Sequence, residues 1–191
     1  MTRSKGFLIQ FFFFVPAFII LVACTESPVY AKASRTVKGT VTRVYDGDTI
    51  QITTLNQTIL RVRLYGIDAP ETPKTDYQTG QWNMPGQSHG KESAEALKNK
   101  ILDHKVKLDI IDVDRYRRMV GIIRLENRNI NLEMLMEGYA DCYIKYLRHP
   151  YRKPFLDACR KAKSAKRGIW SLPEYERPQE FRRRFRKQGM D

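Results

Sequence analysis

A segment of alternating polar and apolar side chains decides the fold of this chain. It spans residues 36–65 and reads TVKGTVTRVYDGDTIQITTLNQTILRVRLY. Alternation with a period of two is typical of β-strands that bury one face, and three such runs occur here. Asp46-Gly47 lies between the first two runs, where this dipeptide is typical of a tight hairpin turn. The segment therefore predicts a three-stranded meander.

Beyond the meander, the sequence predicts three helices and two further strands. Apolar residues recur at helical spacing in 91–102, 131–137 and 151–166, and the strands are predicted at 106–110 and 119–125. Five strands, with a helix before the last two, fit a small closed barrel. The predicted fold class is mainly β with helices (α+β): an OB-fold-type five-stranded β-barrel with three α-helices.

The N-terminal residues predict an export signal. Arg3 and Lys5 precede the uncharged stretch FLIQFFFFVPAFIILVA at residues 7–23. A core helix and a membrane span are the alternatives, but Pro16 and the short length of the stretch favour a cleaved leader. We therefore expect an exported protein of the bacterial cell envelope or the medium.

Two cleavage sites compete at the end of this leader. The sequence LVAC, ending at Cys24, has the form of a lipobox, in which Cys24 is lipidated and attaches the protein to a membrane. The sequence VYA, ending at Ala31, has the small-residue spacing of ordinary signal cleavage. We favour the lipobox, because a lone Cys directly after this pattern is otherwise hard to place.

The composition identifies the class of partner. The chain has 34 Lys and Arg against 21 Asp and Glu, a formal charge of +13, which favours nucleic acid or an anionic membrane surface. An apolar content of 42% excludes a disordered chain. The predicted organisation is a leader at 1–23, a linker at 24–35, one domain at 36–172 and a basic tail at 173–191.

Much of the positive charge lies in this tail. Its closely spaced basic residues are Arg182, Arg183, Arg184, Arg186 and Lys187. They are candidates for sequence-independent phosphate binding. A solvated, partly helical tail explains the same residues, and on a lipoprotein the tail would instead rest on anionic lipid.

Two cysteines remain after the leader, Cys142 and Cys159. In an oxidising compartment two cysteines pair more often than they stay free, so we expect a disulfide, with two buried thiols as the alternative. Their spacing, with no CxxC pair, is poor for zinc.

Three short motifs carry residues suited to catalysis. They are DGDT at 46–49, RLYGIDAPE at 63–71 and DRYRR at 114–118. Each alone has an ordinary structural explanation, as a hairpin turn, a proline turn and a solvated basic hairpin.

Together these motifs supply the groups that phosphodiester hydrolysis requires. Asp48 and Asp68 offer carboxylates to a hard cation such as Ca²⁺ or Mg²⁺. Arg63 and Arg118 offer paired donors to phosphate oxygens. Glu71 is free to position or deprotonate water. Cation and arginines are needed because negative charge builds on the phosphorus oxygens during the reaction.

The order of the motifs resembles the staphylococcal (thermonuclease-type) nuclease family. The resemblance covers 37–170 and includes DGDT in the first hairpin, R-L-x-G-I-D-x-P-E after the third strand, D-R-Y-x-R before the fifth, and a late G-I-W. It implies an OB-type barrel with three helices. It also implies a calcium-dependent endonuclease that cleaves DNA and RNA with little sequence preference and leaves 3′-phosphates.

The resemblance also implies a role for individual residues. The calcium ligands would be the carboxylates of Asp48 and Asp68 and the backbone carbonyl of Ala69. The catalytic residues would be Arg63 and Arg118, which bind phosphate, and Glu71, which activates water either as a base or by positioning it.

One position departs from the family pattern. Arg117 stands where the family commonly has Gly, and Arg adopts a positive φ poorly. We therefore expect a different turn before Arg118, and Arg117 is itself a candidate phosphate contact. Tyr116, Tyr143 and Tyr146 are candidates for stacking on bases, with ordinary packing as the alternative, and the resemblance favours Tyr146 among them.

Two other function classes stay open. One is a non-catalytic nucleic-acid-binding barrel, since OB-type barrels often bind without cutting. The other is an envelope adhesin or structural lipoprotein. The five charged residues of the motifs favour the enzyme. No protein partner is implied, and we expect a monomer.

Overall fold

The structure is a computed structural model that describes residues 35–75 and 82–188, so the predictions on the leader, its cleavage sites and Cys24 lie outside it. The strands are β1 Arg35–Val44, β2 Thr49–Thr54, β3 Ile59–Leu64, β4 Ile67–Asp68, β5 Lys74–Thr75, β6 Trp82–Met84, β7 Lys105–Val113, β8 Met119–Leu125, β9 Arg128–Asn129 and β10 Asp141–Cys142. The helices are α1 Gly90–Ile101, α2 Ile130–Met136, α3 Arg152–Ser164 and α4 Pro178–Gln188, with short 3₁₀ turns at Ile144–Tyr146 and Gly168–Ser171.

Five strands close into a barrel. They lie in the order β3-β2-β1-β7-β8 with antiparallel neighbours, and β3 then pairs in parallel with β8, where Val62 lies opposite Met119 and Leu64 opposite Gly121. This confirms the predicted OB-type barrel. The parallel pair completes the ring, so neither β3 nor β8 remains an open edge along these residues.

The alternating pattern places the barrel core as expected. Val41, Ile50, Ile52 and Val62 are fully buried and Leu64 is almost so. The predicted helices cover the barrel through a second set of buried side chains: Leu97 and Ile101 of α1, Met134 and Leu135 of α2, and Phe155, Ala158 and Ala162 of α3.

Asn131 fixes α2 against the end of β3. This fully buried side chain accepts a hydrogen bond from the N–H of Ile123 and donates to the carbonyls of Tyr65 and Gly121. Buried polar groups are stable only when paired, so this contact holds the backbone within the second motif, at Tyr65.

The three predicted helices are present, and the described residues contain a fourth helix that the prediction did not count. α4 lies in the segment that the charge run marked as a tail. Pro178 begins it, where the missing N–H costs nothing. Phe181 and Phe185 lie one turn apart with stacked rings, and Phe181 is buried. No helix of the described ranges has the length and apolar character needed to cross a bilayer.

Candidate active site

The DGDT turn aims Asp48 towards the end of β3. Asp46 Oδ1 accepts the N–H of Asp48 at 3.0 Å, which closes the turn between β1 and β2. Asp48 is buried; its Oδ1 accepts the Thr49 hydroxyl at 2.9 Å and its Oδ2 accepts the Ala69 N–H at 3.0 Å. The first and second motifs are therefore in direct contact.

Arg63 bridges the two predicted metal carboxylates. It lies opposite Thr49 in the β2–β3 ladder, beside Asp48. Its Nη1 lies 2.7 Å from Asp48 Oδ1 and its Nη2 lies 2.7 Å from Asp68 Oδ1. One guanidinium thus holds both carboxylates on one side of the barrel.

A glycine and a strand pair place Asp68. Gly66 turns the chain after β3 with a φ of 75°, and a Cβ there would lie 2.6 Å from Leu147 Cδ2, so a larger residue fits poorly. Asp68 then pairs with Asp141 in β10. Cys142 of β10 is joined to Cys159 of α3 by a disulfide, which anchors this strand to the helical layer.

Glu71 is buried with both oxygens paired. Its N–H donates to Gln87 Oε1 at 3.1 Å. Its Oε2 accepts Lys74 Nζ at 2.7 Å, and its Oε1 accepts Arg182 Nη1 at 2.6 Å. Arg182 comes from α4, a contact that the sequence reasoning missed.

The third motif forms a tight turn that Asp114 holds, with Arg117 within it. Asp114 Oδ1 accepts the N–H groups of Tyr116 and Arg118, and Oδ2 accepts Arg118 Nε at 2.7 Å. Arg117 adopts a φ of 61°, the left-handed conformation that Gly would favour. Arg117 adopts the positive φ that we expected Arg to avoid, because these hydrogen bonds hold the turn around it.

A cleft of about 770 Å³ collects most of these groups. Arg63, Glu71 and Arg118 line it, together with Tyr116 and Asp46. Asp48, Asp68 and Ala69 lie behind Arg63 and are nearly inaccessible.

Two other predicted contacts lie beside the cleft rather than in its wall. Arg117 is exposed and is not among the residues that line it. Tyr146 packs against Tyr143 with a 5.2 Å centroid distance, and it is Tyr143 that faces the cleft, 5.7 Å from the guanidinium of Arg63.

Asp46 and Asp48 differ in acidity although they are two residues apart. Burial and the charge of Asp48 raise the pKa of Asp46 from 3.8 to about 7. Burial also opposes ionisation of Asp48, but the charge of Arg63 and the hydrogen bonds from Ala69 and Thr49 hold the pKa of Asp48 below its ordinary value. Asp48 is therefore the carboxylate kept ionised. Asp46, another member of the DGDT motif, was missed because its pattern alone indicates only a turn.

The donor set fits a hard cation. The carboxylates of Asp48 and Asp68 both bind the Arg63 guanidinium, so their oxygens lie close together. Ala69 is the next residue after Asp68, and its backbone adds a carbonyl oxygen. Oxygen ligands of this kind suit Ca²⁺ or Mg²⁺. In the described part of the chain, no group of three or more His, Cys, Asp or Glu side chains is arranged as a metal site. Guanidinium groups of Arg63 and Arg182 hold the carboxylates instead.

Comparison with known proteins identifies the family. The model of the family "Staphylococcal nuclease homologue" matches residues 61–172. A "Micrococcal nuclease" of Shigella flexneri is 32% identical over 76% of this chain and 80% of its own length. An "Uncharacterized endonuclease" of Haemophilus influenzae is 29% identical over 87% of this chain and 80% of its own length. An "Uncharacterized endonuclease" of Escherichia coli O157:H7 is 35% identical over 71% of this chain and 78% of its own length. The chain therefore belongs to the staphylococcal nuclease family, as a phosphodiester-hydrolysing endonuclease with nucleic-acid substrates.

Proposed function

We propose that this protein is a calcium-dependent endonuclease that cleaves DNA and RNA with little sequence preference and leaves 3′-phosphates. One observation carries the proposal. The three motifs, which are separate in sequence, bring Arg63, Glu71 and Arg118 to one cleft, with Asp48 and Asp68 bound behind Arg63. The products and the choice of calcium rest on the family resemblance and on the oxygen-rich ligand set.

The metal would be held by Asp48, Asp68 and the carbonyl of Ala69. Calcium accepts six to eight oxygen ligands and tolerates irregular geometry, so two carboxylates and a carbonyl leave room for water and a phosphate oxygen. Bound calcium would supply positive charge against the charge that develops on the phosphate. The hydrogen bond from Ala69 to Asp48 keeps the ligand residues in register.

Arg63 and Arg118 bind the phosphate from within the cleft. Each guanidinium is oriented by a carboxylate, Arg63 by Asp48 and Arg118 by Asp114, so its donors are fixed before substrate arrives. Fixed donors stabilise developing charge without reorganisation during the reaction.

Glu71 positions or deprotonates the attacking water. Its carboxylate lies in the cleft wall, and Gln87 holds its backbone. Attack of that water on phosphorus with departure of the 5′-oxygen would give a 3′-phosphate and a 5′-hydroxyl. The proton removed from water ends on Glu71 or in solvent, and the leaving oxygen takes up a proton.

The cleft surface supports weak sequence preference. Its walls carry cationic side chains, including Lys74, Lys145 and Arg115, and the rings of Tyr116 and Tyr143. Cations bind the uniform backbone, and aromatic rings stack on any base, so neither distinguishes sequences strongly.

We also propose that the protein is exported, as a lipoprotein through Cys24 or by ordinary cleavage. The leader sequence at 1–23 supports this proposal. The disulfide between Cys142 and Cys159 supports it independently, because disulfides persist in oxidising compartments.

The test uses the chain without its leader, residues 24–191. Supercoiled plasmid and a single RNA are incubated with Ca²⁺ or with EGTA, and the ends of the products are analysed. We expect degradation of both only with Ca²⁺, and 3′-phosphate ends. Binding of both without cleavage would indicate a non-catalytic barrel and contradict the proposal.

A further inference from the structure

Helix α4 reaches the active site through one side chain. Phe181 is buried and anchors the helix, while Arg177 pairs with Asp141 at 3.3 Å before the helix begins. Gln87 donates to the carbonyl of Glu176 at 3.0 Å, and the same Gln87 holds the backbone of Glu71. The helix is therefore tied to the segment that carries the water-activating carboxylate.

Arg182 lies on the oxygens that the reaction needs. Its Nη2 lies 3.0 Å from Asp68 Oδ1 and 2.9 Å from Oδ2, and its Nη1 lies 2.6 Å from Glu71 Oε1. Arg182 thus contacts both oxygens of a metal carboxylate and one oxygen of the water activator.

This position and a bound cation exclude each other by charge. Four carboxylates meet here, those of Asp46, Asp48, Asp68 and Glu71. The last three of these form ion pairs with the cations Arg63, Lys74 and Arg182, and Asp46 lies near Asp48 and Glu71. A divalent ion on Asp68 would lie next to the Arg182 guanidinium in a poorly solvated site, where like charges repel strongly. Withdrawal of Arg182 leaves Asp68 available and raises the local negative charge.

We propose that α4 is an autoinhibitory latch and that Arg182 competes with the metal for Asp68 and Glu71. The conformation described here is the closed one, in which Arg182 is hydrogen-bonded to Asp68 and Glu71 and so occupies their oxygens. Calcium binding displaces Arg182, and α4 then moves away from the cleft wall that it forms with Arg183 and Arg186. The inference rests on the proposed calcium site at Asp48 and Asp68.

The rival role for Arg182 is a third phosphate-binding arginine. It lines the same cleft as Arg63 and Arg118. The contacts favour the latch, because Arg182 covers both oxygens of the metal carboxylate Asp68 and one oxygen of Glu71, whereas Arg63 contacts only one oxygen of each of its two carboxylates. The two roles predict opposite effects of removing the side chain on metal binding and on cleavage.

The test is calcium affinity by titration calorimetry, without nucleic acid, on residues 24–191. A neighbouring guanidinium changes the proton affinity of a carboxylate by one to three pKa units, so we expect Arg182→Gln to bind Ca²⁺ about ten- to thousandfold more tightly. Arg183→Gln is the matched control: it removes the same charge from the same helix, and in the described residues Arg183 forms no ion pair. We expect its affinity to stay within about twofold of wild type.

A second variant keeps Arg182 but loosens the helix. Phe181→Ala should also tighten calcium binding, and in the wild type calcium should speed amide hydrogen exchange in 178–188. Equal or weaker calcium binding by Arg182→Gln would overturn the latch while leaving the nuclease intact. Slower cleavage by Arg182→Gln at saturating calcium would assign it to phosphate binding instead. Absence of calcium binding in every variant would overturn the calcium site and the latch together.

Discussion

Arg63 and Asp48 form a nearly buried ion pair, with Nη1 2.7 Å from Oδ1 and side-chain exposures of 16% and 4%. The second nitrogen of the same guanidinium reaches Asp68. A planar fork can contact both carboxylates at once, whereas an ammonium group acts as a single point charge. The orientation of Arg63 towards the cleft therefore depends on its shape as well as its charge.

We expect Arg63→Lys to lower kcat/KM by about two to three orders of magnitude, the usual effect of losing an oriented donor to the transition state. Lys keeps the positive charge, so a loss of kcat/KM would show that the planar geometry of the guanidinium is needed. Arg61→Lys, two residues earlier on the same strand and stacked on Tyr45, is the control and should cleave normally. Comparable rates for the two variants would show that Arg63 does not orient phosphate.

Asp46 gives a pH-dependent stability. Its pKa is raised from 3.8 to about 7 in the folded state, so the folded protein binds the proton more tightly than the unfolded chain. This contribution to stability is full below pH 3.8 and is lost as the pH rises through 7. Asn carries no charge, so Asp46→Asn should be the more stable protein at pH 8, with the difference vanishing near pH 4.

Urea denaturation in EDTA across pH 4–8 measures this difference. Asp112→Asn changes an exposed Asp and is the control, which should follow the wild type. If the free energies of unfolding of Asp46→Asn and wild type differed by the same amount over the whole pH range, titration of Asp46 would be ruled out.

Arg117 stores strain at the third motif. A left-handed conformation costs a non-glycine residue about 1–2 kcal/mol, a cost that Gly avoids. Gly also makes the unfolded chain more flexible, which lowers this gain in stability by about 0.4–1 kcal/mol. Arg117→Gly should therefore raise the free energy of unfolding by about 0.5–1 kcal/mol. Arg117→Ala keeps the positive φ of 61° and should gain nothing. Equal stability of the two variants, measured in urea, would mean that the φ carries no cost.

The disulfide should contribute strongly to stability. Cys142 and Cys159 are 17 residues apart, and a loop of about this length gains about 3 kcal/mol in the chain-entropy description. We expect Cys142→Ser with Cys159→Ser to lose about that much. Reductant should destabilise the wild type by a similar amount and leave the double variant unchanged. A wild type insensitive to reductant would contradict the pairing.

The barrel could be predicted because the alternating pattern that marks each strand lies within a few consecutive residues. Alternation in 36–65 reports which face of each strand is buried, and the strand 119–125 was predicted at the bounds that the structure shows. The cluster of Asp48, Arg63 and Asp68 could be predicted from motif order. Asp48 and Arg63 are brought together by one hairpin that is local in sequence, while the placement of Asp68 also uses its pairing with the distant Asp141.

The contact of Arg182 with the site could not be predicted, because it depends on where a distant helix docks. Arg182 is 111 residues from Glu71 and belongs to a run of similar arginines, so nothing local distinguishes it. The spacing of Phe181 and Phe185 was the available sign that this run forms an amphipathic helix. The choice of Tyr143 over Tyr146 could not be predicted either, since ring orientation after β10 decides which of these two stacking candidates faces the cleft.

The central claim is that this cleft hydrolyses phosphodiester bonds with Glu71 acting on water. The most direct measurement is the rate of plasmid cleavage by Glu71→Gln at saturating Ca²⁺, beside Glu95→Gln, an acidic residue of α1 paired with Lys98, as control. General-base catalysis contributes about 10²- to 10⁴-fold, so we predict a loss of that size with nucleic-acid binding retained. Cleavage by Glu71→Gln at the wild-type rate would contradict the account.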